Sequence, residues 1–421
     1  MTAKKVVVVG SGISGLSACY NILKDNNDQN LTVTLLEKEN RVGGHSYTID
    51  LKNEYGDKID IGFQVFNEHT YPEMLKMFSD LGVETMKSDM SLSVKYPDFE
   101  WGSNNLMMLT SPTFLWLMWE MYRFNNCAYD FLKRTDMTEE EKFNKSIDDF
   151  CNMYSLTYVL RDYYLIPLIA SVWSASSTDS GQFGAYSILR FMDNHHLLHF
   201  TKYQWLTMKN RSDDYVSKLI SRCGSRLVIK TGVCVDKIDQ AKRTVKLTDS
   251  DHNDVLLTYD CLVVAVHGDR VLKLFDNPTE QQQKILSKFS YSEAEVSVHR
   301  DSSIMPKNRW NWTSWNYSKL DDKPDLVCTY WPKMLQSIKE TDVFVSLNHY
   351  DVPQDKTIMK IKMQHPKMNN DCLSAQREIN AIQGVNNVWY AGAYLINGFH
   401  EDGYVSGMNS AKAVNSVLKQ M

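Results

Sequence analysis

The chain has 421 residues, of which 43% are hydrophobic and 23% charged, a composition typical of a globular protein with material for two hydrophobic cores. The formal net charge of −5 gives no sign of a nucleic-acid partner. The eight cysteines are scattered without a Cys-x-x-Cys pair, and no run of about 18 apolar residues occurs, so the sequence predicts no disulfide framework, no zinc site and no membrane-spanning helix.

The strongest pattern lies in the first 37 residues. Residues 5–10 form a short β-branched run typical of a buried strand, and residues 16–23 follow a helical apolar pattern. Between them stands Gly10-Ser-Gly12-Ile-Ser-Gly15, and a second predicted strand, residues 31–36, leads into Glu37. This order of strand, glycine turn, helix, strand and acid is typical of a dinucleotide-binding unit.

The chemistry of dinucleotide binding explains each residue type in this unit. Gly10 permits the tight turn, Gly12 lets the backbone approach a pyrophosphate, and Gly15 lets the helix pack against the strand. The first helical turn, which contains Ser14, offers unpaired N–H groups and a positive dipole end to phosphates. Glu37 is placed to accept hydrogen bonds from ribose hydroxyl groups, which disfavours the 2′-phosphate of NADP.

The segment Arg41-Val-Gly43-Gly44-His45 follows the acid closely. Here the chain resembles the superfamily of flavin amine oxidases and phytoene desaturases, whose members carry Arg-x-Gly-Gly just after the ribose-binding acid. The resemblance implies FAD, and adjacent glycines suit a backbone that must come close to it. The contacts that it implies for this segment come from Lys38, Arg41, Gly43, Gly44 and His45.

Asp60-Ile-Gly62 resembles the next strand of the superfamily, which leads toward the flavin ring, and we expect Asn67 beyond it to line the substrate pocket. Residues 74–81 predict a helix that ends at Gly82. Trp173 is a second expected pocket residue.

Residues 106–124 are the most apolar stretch, rich in methionine and tryptophan, and Pro112 is predicted to open their main helix. One interpretation is a buried helix of a second domain. The other is a lipid-facing or membrane-touching wall, since methionine is adaptable and tryptophan amphipathic. Further along, His195 and His199 have the i,i+4 spacing of one helix face, and without a nearby acid they predict a half-buried face and no metal site.

After residue 212 the chain is predicted to return to the first domain. Residues 261–267 predict a buried parallel strand, and in the superfamily the strand at 233–235 passes the adenine, so Val235 is an expected contact. Relatives commonly carry Gly-Gly before the preceding helix, where this chain departs with Lys209-Asn210-Arg211-Ser212.

Residues 291–350 alternate as antiparallel strands do. His299-Arg-Asp301, Ser314-Trp315-Asn316 and His365-Pro366 resemble motifs of one subfamily, the predicted NAD/FAD-binding, amine-oxidase-like proteins often associated with cyclopropane fatty acid synthases. The resemblance covers nearly the whole chain.

The C-terminal segment completes the implied cofactor site. Gly392 and Ala393 match an Ala-Gly motif whose backbone meets the FAD phosphate and ribityl chain in relatives. Residues 398–407 open a last helix whose N-terminus points at the pyrimidine end of the flavin in relatives, where it would stabilise negative charge. Glu401 and Asp402 either cap this helix or, with Gly403, position the cofactor. Because this motif contains no cysteine, we expect non-covalent FAD.

Phe399 and His400 correspond to positions on the substrate side of the flavin in relatives. We therefore expect Phe399 to line the pocket. For His400 two interpretations stay open, a polar group near the reacting carbon and a structural histidine at the helix start.

The predicted fold is α/β, with a discontinuous FAD-binding Rossmann-like domain (residues 1–83, 213–290 and 385–421) and an inserted α+β substrate domain (residues 84–212 and 291–384). The leading hypothesis is an FAD-dependent oxidoreductase or isomerase acting on an unsaturated or cyclopropane fatty acyl lipid. The alternatives are a flavin amine oxidase and a non-enzymatic lipid- or partner-binding protein. We expect a cytoplasmic protein, because the first strand leaves no room for a signal peptide, with a peripheral membrane contact as an open alternative.

Overall fold

The computed structural model describes residues 3–51, 57–173, 177–199, 203–249, 251–320, 326–339, 342–347 and 351–421. Its α-helices are Ile13–Lys24, Pro72–Leu81, Pro112–Lys133, Glu139–Phe143, Ile147–Met153, Tyr158–Leu160, Ile166–Trp173, Ser177–Gln182, Ala185–Asn194, Ser212–Cys223, Gly268–Val271, Glu280–Leu286, Pro332–Leu335, Asn370–Glu378 and His400–Leu418. Within these described ranges, no helix is both long enough and apolar enough to cross a membrane.

A five-stranded parallel sheet forms the first layer of the molecule. Its strands come from widely separated parts of the chain, in the spatial order Leu227–Lys230, Leu31–Leu36, Lys4–Val9, Cys261–Val264 and Val388–Tyr390. Continuous β-branched runs form its central strands because both faces are covered.

Successive side chains of the first strand enter two different cores, as the two-residue period of a strand requires. Val6 and Val8 pack in the core that contains helices Ile13–Lys24 and His400–Leu418. Val7 and Val9 pack in the core on the other face, which contains an antiparallel meander of three strands. The strands of this meander are Cys234–Asp239, Thr244–Thr248 and Asp254–Thr258.

A seven-stranded sheet forms the second part of the molecule. Its order is Thr357–Pro366, Tyr291–His299, Phe344–Leu347, Leu326–Tyr330, Trp315–Lys319, Leu92–Lys95 and Glu100–Gly102. All neighbouring strands pair antiparallel except Trp315–Lys319 with Leu92–Lys95, which pair in parallel. The remaining strands are the pair Thr48–Asp50 and Lys58–Asp60, and the trio Phe66–Asn67, Trp205–Met208 and Thr85–Lys87. The predicted α/β fold, a parallel sheet interrupted by a domain with an antiparallel sheet, is confirmed.

Two local predictions are confirmed and one is wrong. Pro112 stands at the first helical position of Pro112–Lys133, and Gly82 ends its helix in the left-handed conformation with φ +64°. The shared helix face of His195 and His199 does not exist, because the helix ends at Asn194 and His196 adopts φ +59°.

The apolar stretch 106–124 is neither fully buried nor fully exposed. Leu117 and Phe124 lie in the core, whereas Leu115, Trp116 and Trp119 point to solvent. A helix on the outside of the fold buries one side only, so the interpretation as a buried helix applies to its inner face and leaves the interpretation as an exposed apolar wall open for its outer face.

Candidate functional site

The glycine turn lies at the carboxyl end of the first strand. A Cβ atom on Gly10, whose φ is +99°, would lie 2.5 Å from the carbonyl oxygen of Ala265, and one on Gly15 would lie 1.9 Å from that of Gly10. Within the described part of the chain, by contrast, no heavy atom outside the local backbone lies within 4 Å of a Cβ on Gly12. Gly10 and Gly15 are thus required by packing, and Gly12 leaves open space at the helix N-terminus, where phosphate binding is favourable.

Glu37 is bound to this turn. Its Oε2 atom accepts hydrogen bonds from the backbone N–H and the hydroxyl of Ser11, at 2.9 and 2.6 Å. The backbone N–H of Gly43 donates to the carbonyl of Ser11 at 3.0 Å. The acid, the turn and the following glycine loop therefore form one unit. Lys38 instead pairs with Glu39 at the surface, where its side chain is 75% exposed.

Arg41 shapes the second glycine loop from outside. Its guanidinium donates to the carbonyl of Gly44 at 2.7 Å and stacks 3.6 Å from the ring centre of Tyr47. A Cβ on Gly44 would lie 2.9 Å from the Cα of Gly12, so the two glycine segments touch. Arg41 thus acts on the loop conformation and brings backbone, not side chains, to the site.

Three histidines meet beside this loop. The ring centres of His45 and His365 lie 5.2 Å apart, and those of His45 and His267 lie 6.1 Å apart. Burial is the main cause that holds the pKa of His45 well below its ordinary value, and the nearby His365 lowers it further. Burial also lowers the pKa of His365 to about 4. Among the described residues, His45 Nε2 and His365 Nδ1 are buried without a hydrogen-bond partner. Such atoms are rare in proteins and suit a bound polar ligand.

His400 occupies the start of the last helix. Its ring stacks on Phe63 with centres 3.8 Å apart, and its Nε2 is hydrogen-bonded to the hydroxyl of Tyr215 at 2.7 Å and lies 3.2 Å from the Oγ of Ser46. Burial lowers the pKa of His400 to about 3. A neutral imidazole with these partners holds three segments together, so the structure favours the structural interpretation.

The acids of the last helix cap helix termini. Glu401 accepts hydrogen bonds from the backbone N–H groups of Glu73 and Met74, at 2.8 and 2.9 Å, and so caps helix Pro72–Leu81. Asp402 accepts from the N–H of Phe399 at 2.8 Å, which is the cap of its own helix. Of the two interpretations, these contacts favour capping for both acids, although Glu401 caps helix Pro72–Leu81 and not its own helix.

Gly403 and Ser14 belong to the interface between the first and last helices. A Cβ on Gly403 would lie 2.7 Å from Ile13 and 3.1 Å from the Oγ of Ser14, and one on Gly407 would lie 2.1 Å from the carbonyl of Ser14. Their small size lets the two helices pack closely, which places both N-termini at the same edge of the sheet.

Aromatic rings surround Phe399. Its ring stacks on Phe191 with centres 4.8 Å apart, and His195 lies 5.4 Å away. Burial lowers the pKa of His195 to about 4, so this wall is uncharged at neutral pH. The place of His195 in this wall could not be predicted from the sequence, because its spacing from His199 suggested a helix face that the structure does not contain.

The other predicted residues are placed as follows. Asn67 accepts hydrogen bonds from the N–H groups of His69 and Thr70 and thus closes its own loop. Val235 pairs with Leu247 in the meander, just after Val233, whose N–H donates to the carbonyl of Glu37. The N–H of Gly392 donates to Ser406 at 3.0 Å, and Ala393 follows it. The side chain of Trp173 lies outside the described residues.

The segment that departs from the superfamily pattern has a structural role. Arg211 adopts φ +72°, and its Nε donates to the carbonyl of Lys58 at 2.7 Å. The N–H and hydroxyl of Ser212 donate to Asp60, whose pKa burial raises to about 6. These contacts join the start of helix Ser212–Cys223 to strand Lys58–Asp60.

The assembled residues fit FAD. The open space at Gly12 suits the diphosphate, Glu37 suits the ribose, and the unpartnered nitrogens of His45 and His365 suit polar atoms farther along the ligand. The histidine pair could not be found from sequence, because His45 and His365 meet only through the tertiary fold.

A family model described as flavin containing amine oxidoreductase matches residues 13–308. Amine oxidase [flavin-containing] A of Sus scrofa is 40% identical over 86 residues, which are 20% of this chain and 15% of that protein. Amine oxidase [flavin-containing] B of Homo sapiens is 40% identical over 82 residues, 20% of this chain and 14% of that protein. The chain therefore matches about a seventh of the length of these curated relatives.

Solved structures share the fold over the whole chain. Cyclohexylamine oxidase from Brevibacterium oxydans IH-35A has a TM-score of 0.72 at 14% identity and covers 99% of this chain and 100% of its own. A CLA-producing fatty acid isomerase from P. acnes has a TM-score of 0.69 at 14% identity, with 97% and 98% covered. At these identities the likeness shows the fold alone.

Proposed function

Because the chain belongs to the family of flavin containing amine oxidoreductases, we propose that it is an FAD-dependent oxidoreductase that acts on a carbon atom in the fatty acyl chain of a lipid. FAD is the cofactor of this family. When bound, it supplies the site that accepts a hydride from substrate carbon or returns one to it. Non-covalent binding is part of the proposal.

The observation that carries the lipid substrate is the neutral aromatic wall at Phe399. Its neighbours Phe191 and His195 carry no charge at neutral pH, since burial keeps His195 unprotonated. An apolar chain binds such a wall without leaving a charge unpaired, whereas a protonated amine would need a compensating group.

The same rings count against an amine substrate. Phe399 and Phe191 stack with centres 4.8 Å apart and an angle of 14° between the rings, which leaves no room for an amino group between them. The resemblance to proteins associated with cyclopropane fatty acid synthases and the fold shared with a fatty acid isomerase also support a fatty acyl substrate.

The residues of this chain would do the remaining work. Gly12 and Gly44 bring backbone to the diphosphate, and Glu37 holds the ribose. The positive end of helix His400–Leu418 would stabilise negative charge on a flavin bound at this edge of the sheet. Phe399 and Phe191 exclude water and orient the acyl chain. Hydride transfer needs no acid or base, which agrees with the structural role of His400.

The test is a visible spectrum of the purified protein, followed by anaerobic mixing with unsaturated fatty acids and, separately, with amines. Bleaching of the flavin band by a fatty acid, or a shifted double bond detected by mass spectrometry of the products, supports the proposal. Bleaching by amines alone overturns it in favour of an amine oxidase. A protein that cannot be reconstituted with FAD overturns the enzymatic function and favours a lipid- or partner-binding role.

A further inference from the structure

A large apolar surface covers the outer side of helix Pro112–Lys133 and the turn before it. Leu106 is 79% exposed, Met107 71% and Trp119 58%. We call this surface the apolar face; its members are Leu106, Met107, Leu109, Leu115, Trp116, Met118, Trp119, Tyr122 and Trp310. Isolated exposed apolar residues are ordinary, but a contiguous patch of this kind marks an interaction site.

The face is a stable part of the fold. Ser111 caps the helix by accepting from the N–H of Phe114, and Leu117 and Phe124 anchor the inner side in the core. Between Trp101 and Tyr122 the sequence contains a single charged residue, Glu120. Glu120 is 1% exposed and accepts from the N–H of Thr157 at 2.9 Å. No charge of this segment therefore reaches the outer surface.

Trp310 extends the face from a distant part of the chain. Asn105, which directly precedes Leu106, donates to the side chain of Asn311 at 2.7 Å. Glu100 accepts from the N–H groups of Lys307 and Asn308 at 2.9 and 2.8 Å. These bonds hold the loop of Trp310, which is 79% exposed, beside the start of the apolar stretch.

The edge of the face at Trp310 is cationic. Lys307 and Arg309 precede Trp310 in the sequence and are both exposed. Arg309 shares Asp342 with Lys333, at 3.2 and 3.5 Å. Among the described residues of this edge, the three cations Lys307, Arg309 and Lys333 outnumber the two acids Glu100 and Asp342, although the whole chain has a net charge of −5.

We propose that the apolar face docks on the surface of a bilayer that contains anionic phospholipid. Tryptophan and tyrosine rings favour the boundary between acyl chains and headgroups, leucine and methionine enter the acyl region, and adjacent lysine and arginine attract anionic headgroups. The helix lies in the plane of the surface and does not span it. This inference rests on exposed residues alone and is independent of the substrate.

The experiment is co-sedimentation of the full chain with vesicles of phosphatidylcholine alone and of phosphatidylcholine mixed with phosphatidylglycerol. The chain binds the mixed vesicles more strongly. Trp116→Ser/Trp119→Ser weakens binding to both kinds by about tenfold or more, since it removes the two largest inserted side chains. Leu256→Ser is the matched control. Leu256 is 65% exposed but lies on the meander and not on the apolar face, so this variant should bind vesicles as the parent chain does.

Lys307→Glu tests the electrostatic contribution to vesicle binding. It reduces the preference for vesicles that contain phosphatidylglycerol and leaves binding to phosphatidylcholine vesicles unchanged. Circular dichroism shows that every variant remains folded. Absence of binding to either vesicle overturns the proposal, as does equal binding by the double tryptophan variant. A dimer in sedimentation velocity that this variant abolishes, without vesicle binding by the parent chain, assigns the face to a second copy and likewise overturns it.

Discussion

The carboxylate of Glu37 and the side chain of Ser11 are joined across the edge of the parallel sheet, with Oε2 of Glu37 accepting from the Ser11 hydroxyl at 2.6 Å and from its N–H at 2.9 Å. A third bond reaches Oε1 from the N–H of Glu39 at 2.9 Å. The acid is thus oriented before any ligand arrives. A carboxylate held in this way binds ribose hydroxyl groups with little loss of side-chain entropy.

Glu37→Gln should weaken FAD binding by about 10- to 100-fold, because a charge-assisted hydrogen bond contributes roughly 1.5–3 kcal/mol. Fluorescence titration of the apoprotein with FAD measures the change. Ser11→Ala is the control, since it removes one partner of the carboxylate and keeps the carboxylate itself, so its effect should be smaller. An equal loss in both variants would show that orientation alone, and not ligand contact, is the role of Glu37.

Gly12→Val should abolish FAD binding and leave the fold intact. The new side chain enters open space in the described structure and occupies the volume of the diphosphate. Gly15→Ala is the contrasting variant, because its Cβ would lie 1.9 Å from the carbonyl of Gly10 and must disturb the fold itself. Flavin absorbance after reconstitution and the thermal midpoint of the apoprotein separate the two effects. Full flavin occupancy in Gly12→Val would disprove this placement of the cofactor.

Glu401→Ala should lower the free energy of unfolding by about 1–3 kcal/mol, because it leaves the N–H groups of Glu73 and Met74 without an acceptor at a helix N-terminus. Chemical denaturation of the apoprotein measures this loss. Glu39→Ala removes only an exposed ion pair with Lys38 and should change stability by less than about 1 kcal/mol. If Glu401→Ala instead lost FAD without losing stability, a cofactor role for this carboxylate would be restored.

His195 makes the fold sensitive to acid. Burial lowers its pKa in the folded chain to about 4, from 6.5 in the unfolded chain, so the unfolded chain takes up a proton first as the pH falls. The stability that a neutral His195 contributes is therefore complete above pH 6.5 and is lost as the pH falls from 6.5 to 4, by up to about 3 kcal/mol.

Thermal unfolding between pH 7 and pH 4 measures this loss. His195→Gln should show a shallower decline of the midpoint than the parent chain, whereas His69→Gln, at an exposed histidine, should follow the parent chain. Parallel profiles for all three proteins would show that acid acts through other groups, among them His365 and His400, whose pKa values burial lowers to about 4 and about 3.

The dinucleotide unit could be predicted from the order of residues alone. The strand, the turn at Gly10–Gly15, the helix and Glu37 are adjacent in the chain, and each depends on local rules of backbone conformation and hydrophobic period. For the same reason Gly82 could be assigned to the end of one helix and Pro112 to the start of another. Gly82 adopts the left-handed conformation and Pro112 lacks an N–H group, and both effects act within one helical turn.

Which side chains share a site, and which face of an apolar helix is covered, depends on contacts between distant parts of the chain. Glu401 caps a helix more than 300 residues away in sequence, and His45 meets His365 although the two are far apart in the chain. The hydropathy of a side chain indicates how favourable the free energy of its burial is, but the residues that bury it come from distant parts of the chain. Leu117 and Trp116 are neighbours in an apolar stretch of the sequence, yet the fold covers Leu117 and leaves Trp116 exposed.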